Sequence, residues 1–159
     1  IMGTFSKSLA SLGGYMAASE LVCDYVRHNS RPFIFSASIP PSACATALAA
    51  LRYIETHPEL PEGLLALSSY ARNGLKERGL HIRESLTPII PIYTYQAENT
   101  LRKAKELYEA GVYVNPVLPP ATEPTECLLR TSYMATHTEA LLDEAMDIIK
   151  AVLCDGAQN

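Results

Sequence analysis

A lysine near the start of the sequence lies among residues that can hold a phosphorylated ligand. Thr4, Ser6 and Ser8 place hydroxyl groups around Lys7, and Gly13-Gly14 follows, where the backbone can approach a neighbour closely. A lysine amine in a polar pocket, partly deprotonated, is a nucleophile that forms imines with carbonyl carbons. A Ser- and Gly-rich loop with one lysine is more often a solvated surface loop. This segment therefore leaves both interpretations open.

Two other segments carry side chains that can bind anions. Arg130 stands in an apolar run, and a guanidinium group can bind a carboxylate through two hydrogen bonds without losing its charge. An arginine in a strand is otherwise often a partly exposed ion-pair partner. Ser36 and Ser38 precede Pro40-Pro41, where their hydroxyls can bind a ligand or cap the helix that follows.

Three segments, in the same order along the chain, resemble the α-oxoamine synthases, which are fold-type I pyridoxal-phosphate (PLP) enzymes. Members of this family condense an amino acid with an acyl-CoA. The resemblance covers nearly the whole chain. The matching segments are Gly3-Thr4-Phe5-Ser6-Lys7-Ser8 with Gly13-Gly14-Tyr15, Arg31 to Pro41, and Asn115-Pro116-Val117 through Arg130 to Thr138.

The resemblance implies a role for each candidate site residue. Lys7 would hold PLP and, once substrate has freed its amine, act as the general base at Cα. Thr4 would hydrogen-bond the cofactor phosphate. Ser36 and Ser38 would reach the phosphate in the neighbouring subunit, which implies a homodimer with its active site at the interface. Arg130 would bind the α-carboxylate of the substrate, and no metal is implied.

The fold class that the resemblance implies is α/β, the C-terminal part of a fold-type I PLP-dependent transferase. Residues 1–41 would end the large PLP-binding domain, and residues 42–159 would form the connecting helix and a small α+β domain. Strands are predicted at 1–5, 15–18, 33–38, 89–95 (an edge strand, because of Pro91), 112–114 and 128–133. Helices are predicted at 20–29, 43–56, 62–78, 99–110 and 137–153, with Thr136 capping the last.

The implied reaction is the condensation of glycine or serine with an acyl-CoA, giving an aminoketone, CoA and usually CO2. Within the family, the sequence is most similar to the glycine C-acetyltransferase and serine palmitoyltransferase branches. Family members bind the PLP ring through residues that precede the lysine, so the 159-residue chain alone is expected to be inactive and to belong to a longer protein. Two alternatives remain open: a fold-type I aminotransferase, which needs no CoA, and a truncated dimerisation module without activity.

Composition argues against several other classes of protein. The content is 48% hydrophobic and 19% charged, which is typical of a globular domain, and the apolar runs are too short to span a membrane. A net charge of −4 gives no reason to expect nucleic acid as a partner. The four cysteines are scattered without metal-ligand spacing, which favours reduced thiols in a cytoplasmic protein.

Overall fold

The computed structural model describes residues 1–154, which form two compact units. The first unit comprises Ile1–Pro58, and the second begins at Glu59. The predicted domain boundary after residue 41 concerns the longer protein and stays a prediction.

The first unit is a short β-hairpin followed by helices. Its two strands pair antiparallel, with Gly3 opposite Tyr15. Among the described residues of this unit only Ala47 is a buried hydrophobic side chain, whereas Leu21, Phe33 and Phe35 are mostly exposed. Exposed apolar surface of this kind is a feature of interfaces. The elements are β1 (Met2–Thr4), β2 (Gly14–Met16), α1 (Glu20–Asn29), α2 (Arg31–Ile34) and α3 (Pro41–Thr56).

The strand predicted at residues 33–38 is wrong, because the chain forms the short helix α2 and then an irregular segment there. Pro32 lies in the first turn of α2, where its fixed φ favours a helix and its missing N–H costs nothing. The amide nitrogens of Phe33 and Ile34 donate to the carbonyl of Ser30. The aromatic and apolar residues that suggested a strand are exposed on this turn.

The second unit packs three helices with a three-stranded antiparallel sheet. The strand order is β3 (Ile89–Tyr95), β5 (Cys127–Ser132) and β4 (Asn115–Val117), so β3 is an edge strand, as Pro91 predicted. Residues 127, 129 and 131 of the central strand are buried against the helices. The hydrophobic core lies between the sheet and the helices, and Leu75, Leu107 and Met146 are almost fully buried in it. The elements are α4 (Glu59–Glu77), β3 (Ile89–Tyr95), α5 (Ala97–Glu109), β4 (Asn115–Val117), β5 (Cys127–Ser132) and α6 (Glu139–Cys154).

Two local predictions in this unit need correction. The strand predicted at 112–114 lies three residues later, at β4, because Val114 is buried in the core rather than paired in the sheet. The last helix is capped by Thr138 rather than Thr136, since the Thr138 hydroxyl accepts a hydrogen bond from the amide of Leu141 at 3.3 Å.

A buried lysine joins two helices of the second unit. Lys103 is 5% exposed, and its Nζ donates to Glu106 Oε2 at 2.9 Å and to the carbonyl of Val152, in the last turn of α6, at 2.5 Å. The ammonium group thus satisfies a carbonyl at the negative end of a helix dipole. Its hydrogen bond also lowers the pKa of the Glu106 carboxyl.

Replacing Lys103 by methionine is expected to destabilise the protein by about 1–3 kcal/mol, because a partly buried carbonyl loses its partner. Urea unfolding measures the effect, with Lys105→Met, which removes an exposed lysine on the same helix, as the control. The pKa of the Glu106 carboxyl is lower in the folded than in the unfolded protein. The ionised carboxylate therefore adds to the free energy of unfolding above the ordinary carboxyl pKa, and this stabilisation is lost as the pH falls through the lowered pKa. The stability difference should therefore shrink in acid. Equal stability of the two variants at neutral pH would contradict this role.

No helix within residues 1–154 is both long enough and apolar enough to cross a membrane.

Candidate functional site

Residues 5–13 form a loop around Lys7, the lysine loop, which is closed by backbone hydrogen bonds. The amide of Phe5 donates to the carbonyl of Gly13, and the amide of Ser11 donates to the carbonyl of Phe5, each at 2.9 Å. Within the loop the amide of Ala10 donates to the carbonyl of Lys7 at 3.0 Å. The Lys7 side chain is exposed, and its amine has no hydrogen bond or ion pair with any residue from 1 to 154. A fixed backbone therefore presents an accessible amine.

The glycines of the loop are explained by close approaches of the chain. A Cβ on Gly14 would lie 2.7 Å from the carbonyl oxygen of Gly3, and a Cβ on Gly3 would lie 2.6 Å from the ring of Tyr15. Gly13 has a φ of 111°, which side chains rarely adopt, and a Cβ there would lie 2.9 Å from Ile39. These contacts give the Gly3 and Gly13-Gly14 pattern a structural cause.

The hydroxyl groups of Thr4 and Ser6 form a pair beside the lysine. Their oxygens are 2.9 Å apart, the amide of Ser6 donates to Thr4 Oγ1 at 3.2 Å, and Thr4 Oγ1 donates to the carbonyl of Gly13 at 3.3 Å. The two hydroxyls are exposed and close enough to bind one phosphate group together. From residue type, Thr4, Ser6 and Ser8 were all candidates for binding a phosphate, and the resemblance assigned that role to Thr4. With the free amine of Lys7 on the same loop, these residues fit PLP.

The segment that contains Ser36 and Ser38 adjoins the lysine loop at its far end. The Ser11 hydroxyl donates to the carbonyl of Ala43 at 2.7 Å, and Ile39 contacts Gly13. Ser36 donates its hydroxyl hydrogen to the carbonyl of Pro32. Ser38 is exposed, and in residues 1–154 neither serine hydrogen-bonds to Lys7 or Thr4. A role for these serines in the neighbouring subunit stays a prediction.

Arg130 lies on β5, in the second unit, with its side chain on the exposed face of the sheet. Asn115 of β4 and Pro91 of β3 are its partners in the neighbouring strands. Arg130 Nη2 donates to Asn115 Oδ1 at 3.3 Å. No carboxylate among residues 1–154 lies within 4.0 Å of the guanidinium group, which leaves it able to bind the carboxylate of a ligand.

A cavity of about 200 Å³ lies in the second unit between the end of β5 and α6. Its lining is mostly apolar and includes Tyr113, Tyr133 and His137, together with Ser132, which is two residues beyond Arg130 on the same sheet face. Nδ1 of His137 accepts a hydrogen bond from the amide of Met134 at 3.4 Å. Burial raises the pKa of the Tyr133 hydroxyl, so this tyrosine is neutral at ordinary pH.

The structure therefore places Thr4, at the end of β1, beside Ser6, the residue that precedes Lys7 in the loop, and it places Arg130 in the other unit with Asn115 beside it. Asn115 was not predicted as a site residue from the sequence. Its contact with Arg130 depends on strand register, for which the sequence carried no local signal.

The known sequences that are similar to this chain include enzymes of related kinds. The aminotransferase class I and II family model matches residues 1–149. A serine palmitoyltransferase of Bacteroides ovatus is 45% identical over 152 residues, which are 95% of this chain and 39% of that protein. An 8-amino-7-oxononanoate synthase of Citrifermentans bemidjiense is 39% identical, with 95% and 39% covered. These relatives confirm the predicted α-oxoamine synthase resemblance, and the chain spans about two fifths of their length.

Solved structures confirm the predicted fold class. A serine palmitoyltransferase variant from S. paucimobilis, with a bound PLP-myriocin aldimine, superposes with a TM-score of 0.86 at 33% identity, covering 95% of this chain and 38% of that one. A second structure, SPT with its PLP internal aldimine, gives 0.85 at 34% identity and the same coverage. The α/β architecture is thus that of the fold-type I PLP enzymes over part of their length.

Proposed function

Since the chain belongs to the aminotransferase class I and II family, we propose that it forms the lysine-bearing part of a PLP-dependent enzyme that condenses an amino acid with an acyl-CoA. The observation that carries this proposal is the lysine loop, where an unpaired amine and the Thr4–Ser6 hydroxyl pair share one fixed backbone. Two similar serine palmitoyltransferase structures contain PLP, and we assign this cofactor to the present protein as well.

Each candidate residue then has a definite task. PLP, when bound, supplies an electron sink for a carbanion at Cα. Lys7 holds the cofactor, and its amine, once freed by substrate, removes the Cα proton. Thr4 and Ser6 bind the phosphate through their hydroxyls. Arg130 binds the α-carboxylate and so orients the amino acid for proton removal.

We assign serine and a long-chain acyl-CoA as the substrates, because the serine palmitoyltransferase reported above is more similar to this chain than the 8-amino-7-oxononanoate synthase. Glycine with acetyl-CoA is the other pair that the sequence indicated. The protein is further proposed to be a cytoplasmic homodimer in which Ser36 and Ser38 bind the phosphate of the neighbouring subunit's cofactor.

A second candidate function is transamination, because the family model that matches the chain is named for aminotransferases. Both reactions would use the same lysine and the same carboxylate-binding arginine. They differ in the second substrate, which is a 2-oxo acid for transamination and an acyl-CoA thioester for condensation.

The assay that separates these functions uses the full-length gene product loaded with PLP. We expect thiol release from palmitoyl-CoA that requires serine, with weaker release for glycine and acetyl-CoA, and the 159-residue chain alone should show no turnover. Exchange of amino groups with 2-oxoglutarate in the absence of CoA would instead establish an aminotransferase. A protein that binds no PLP and has neither activity would favour the dimerisation module.

A further inference from the structure

The side chain next to Arg130 is an amide. Asn115 and Arg130 are directly opposite each other on β4 and β5, and Arg130 Nη2 donates to Asn115 Oδ1 at 3.3 Å. Asn115 Nδ2 in turn donates to the hydroxyl oxygen of Tyr113 at 3.1 Å. We propose that Asn115 is a positioning residue, which fixes the Arg130 guanidinium for substrate carboxylate without neutralising it. This inference rests on the proposed function of Arg130.

The orientation of the Asn115 amide follows from the chemistry of its partners. A guanidinium group carries only donors, so the group that faces Arg130 must be the oxygen Oδ1. The nitrogen Nδ2 must then face Tyr113, whose hydroxyl oxygen can accept its hydrogen. The ring of Tyr113 contacts the ring of Tyr108 on α5 edge to face, with centroids 6.5 Å apart. The amide is therefore held from both sides.

Arg130 differs from Arg78 and Arg102 of the same unit in having no carboxylate within 4.0 Å among residues 1–154. A neutral partner is not peculiar to it, since Arg102 Nη2 also donates to an amide oxygen, Asn99 Oδ1, at 2.9 Å. Arg78 bonds to Asp147 at 2.7 Å and lies 3.6 Å from Asp143, and Arg102 lies 3.7 Å from Glu106. Those carboxylates balance the charge of their arginines. Asn115 uses one of the five N–H donors of Arg130 and leaves its positive charge and the other donors for a ligand.

The test is to replace Asn115 by aspartate, which has nearly the same shape but a negative charge. The probes are L-serine and L-serinamide, whose carboxamide replaces the carboxylate, and their Kd values are measured from the cofactor absorption of the PLP-loaded full-length protein. We expect Asn115→Asp to weaken serine binding about 10-fold or more, because the new carboxylate competes for the guanidinium. The Kd for serinamide should change less than about 2-fold. Asn115→Ala should lie between the wild-type protein and Asn115→Asp.

Two controls make the outcomes distinguishable. Asn73→Asp adds the same charge on an exposed position of α4 and should leave both Kd values unchanged. Arg130→Ala tests the proposed function itself, since it should remove the preference for serine over serinamide. If Arg130→Ala loses that preference and Asn115→Asp keeps it, the positioning role of Asn115 is overturned while the role of Arg130 stands. If Arg130→Ala keeps it, the proposed role of Arg130 fails. Equal weakening of both probes, with a lower Tm, would show that Asn115 is only structural.

Discussion

Replacing Lys7 by alanine is expected to lower the turnover of the full-length protein by at least about 10³-fold, because in the proposed function one side chain both holds PLP and removes the Cα proton. The same variant should lose PLP on gel filtration, whereas the wild-type protein should retain it. Borohydride reduction of the wild-type protein followed by peptide mapping should place the pyridoxyl group on Lys7.

The structure indicates that this loss will not come from misfolding. The Lys7 side chain is exposed, and the loop is held by backbone hydrogen bonds of Phe5 and Ser11, which alanine leaves intact. The Tm without PLP should therefore match that of the wild-type protein. Lys105→Ala, which removes an exposed lysine in a surface ion pair, is the matched control and should retain full activity. A pyridoxyl group found on another lysine would show that the active-site assignment is wrong.

Features that depend on a few neighbouring residues were predicted well from the sequence, whereas features that depend on burial and on distant contacts were not. The helix ends predicted at residues 78 and 110 agree with α4 and α5 to within one residue, and each helix is followed by a glycine with a positive φ value, Gly79 at 80° and Gly111 at 93°. Such ends depend on one residue and its neighbours. The strand predicted at 33–38 was wrong because apolar residues on an exposed helical turn have the same composition as those of a buried strand. Only Pro32 favoured a helix there.

The candidate site shows the same limit. Lys7, Thr4 and Arg130 were predicted as site residues from residue type and from resemblance, both of which are properties of sequence, and their roles stay predictions. The pairing of Thr4 with Ser6 requires the turn between them, and the contact of Asn115 with Arg130 requires the register of β4 on β5. The misplacement of β4 by three residues had put Asn115 outside the predicted strand, so its partner could not be predicted.

Removing the Arg130 side chain is expected to raise the Kd for L-serine about 100-fold, since the proposed pair of charge-assisted hydrogen bonds to the carboxylate is lost. Arg130→Lys should recover part of this loss, because an ammonium group keeps the charge but cannot form the paired contact. Steady-state kinetics should show the loss in kcat/KM for serine, while the KM for palmitoyl-CoA changes less than about 2-fold. The effects on the two substrates should differ because only the amino acid carries an α-carboxylate.

The exposed position of Arg130 makes this prediction a test of binding rather than of stability. Its guanidinium has one hydrogen bond, to Asn115, among the described residues, so its removal leaves no buried partner unsatisfied. Arg83→Ala, which removes another exposed arginine of the same unit, should leave the kinetics for both substrates unchanged. If Arg130→Ala impaired palmitoyl-CoA and serine equally, the arginine would act on the acyl-CoA or on the whole site. The carboxylate would then have to be bound by a different cation.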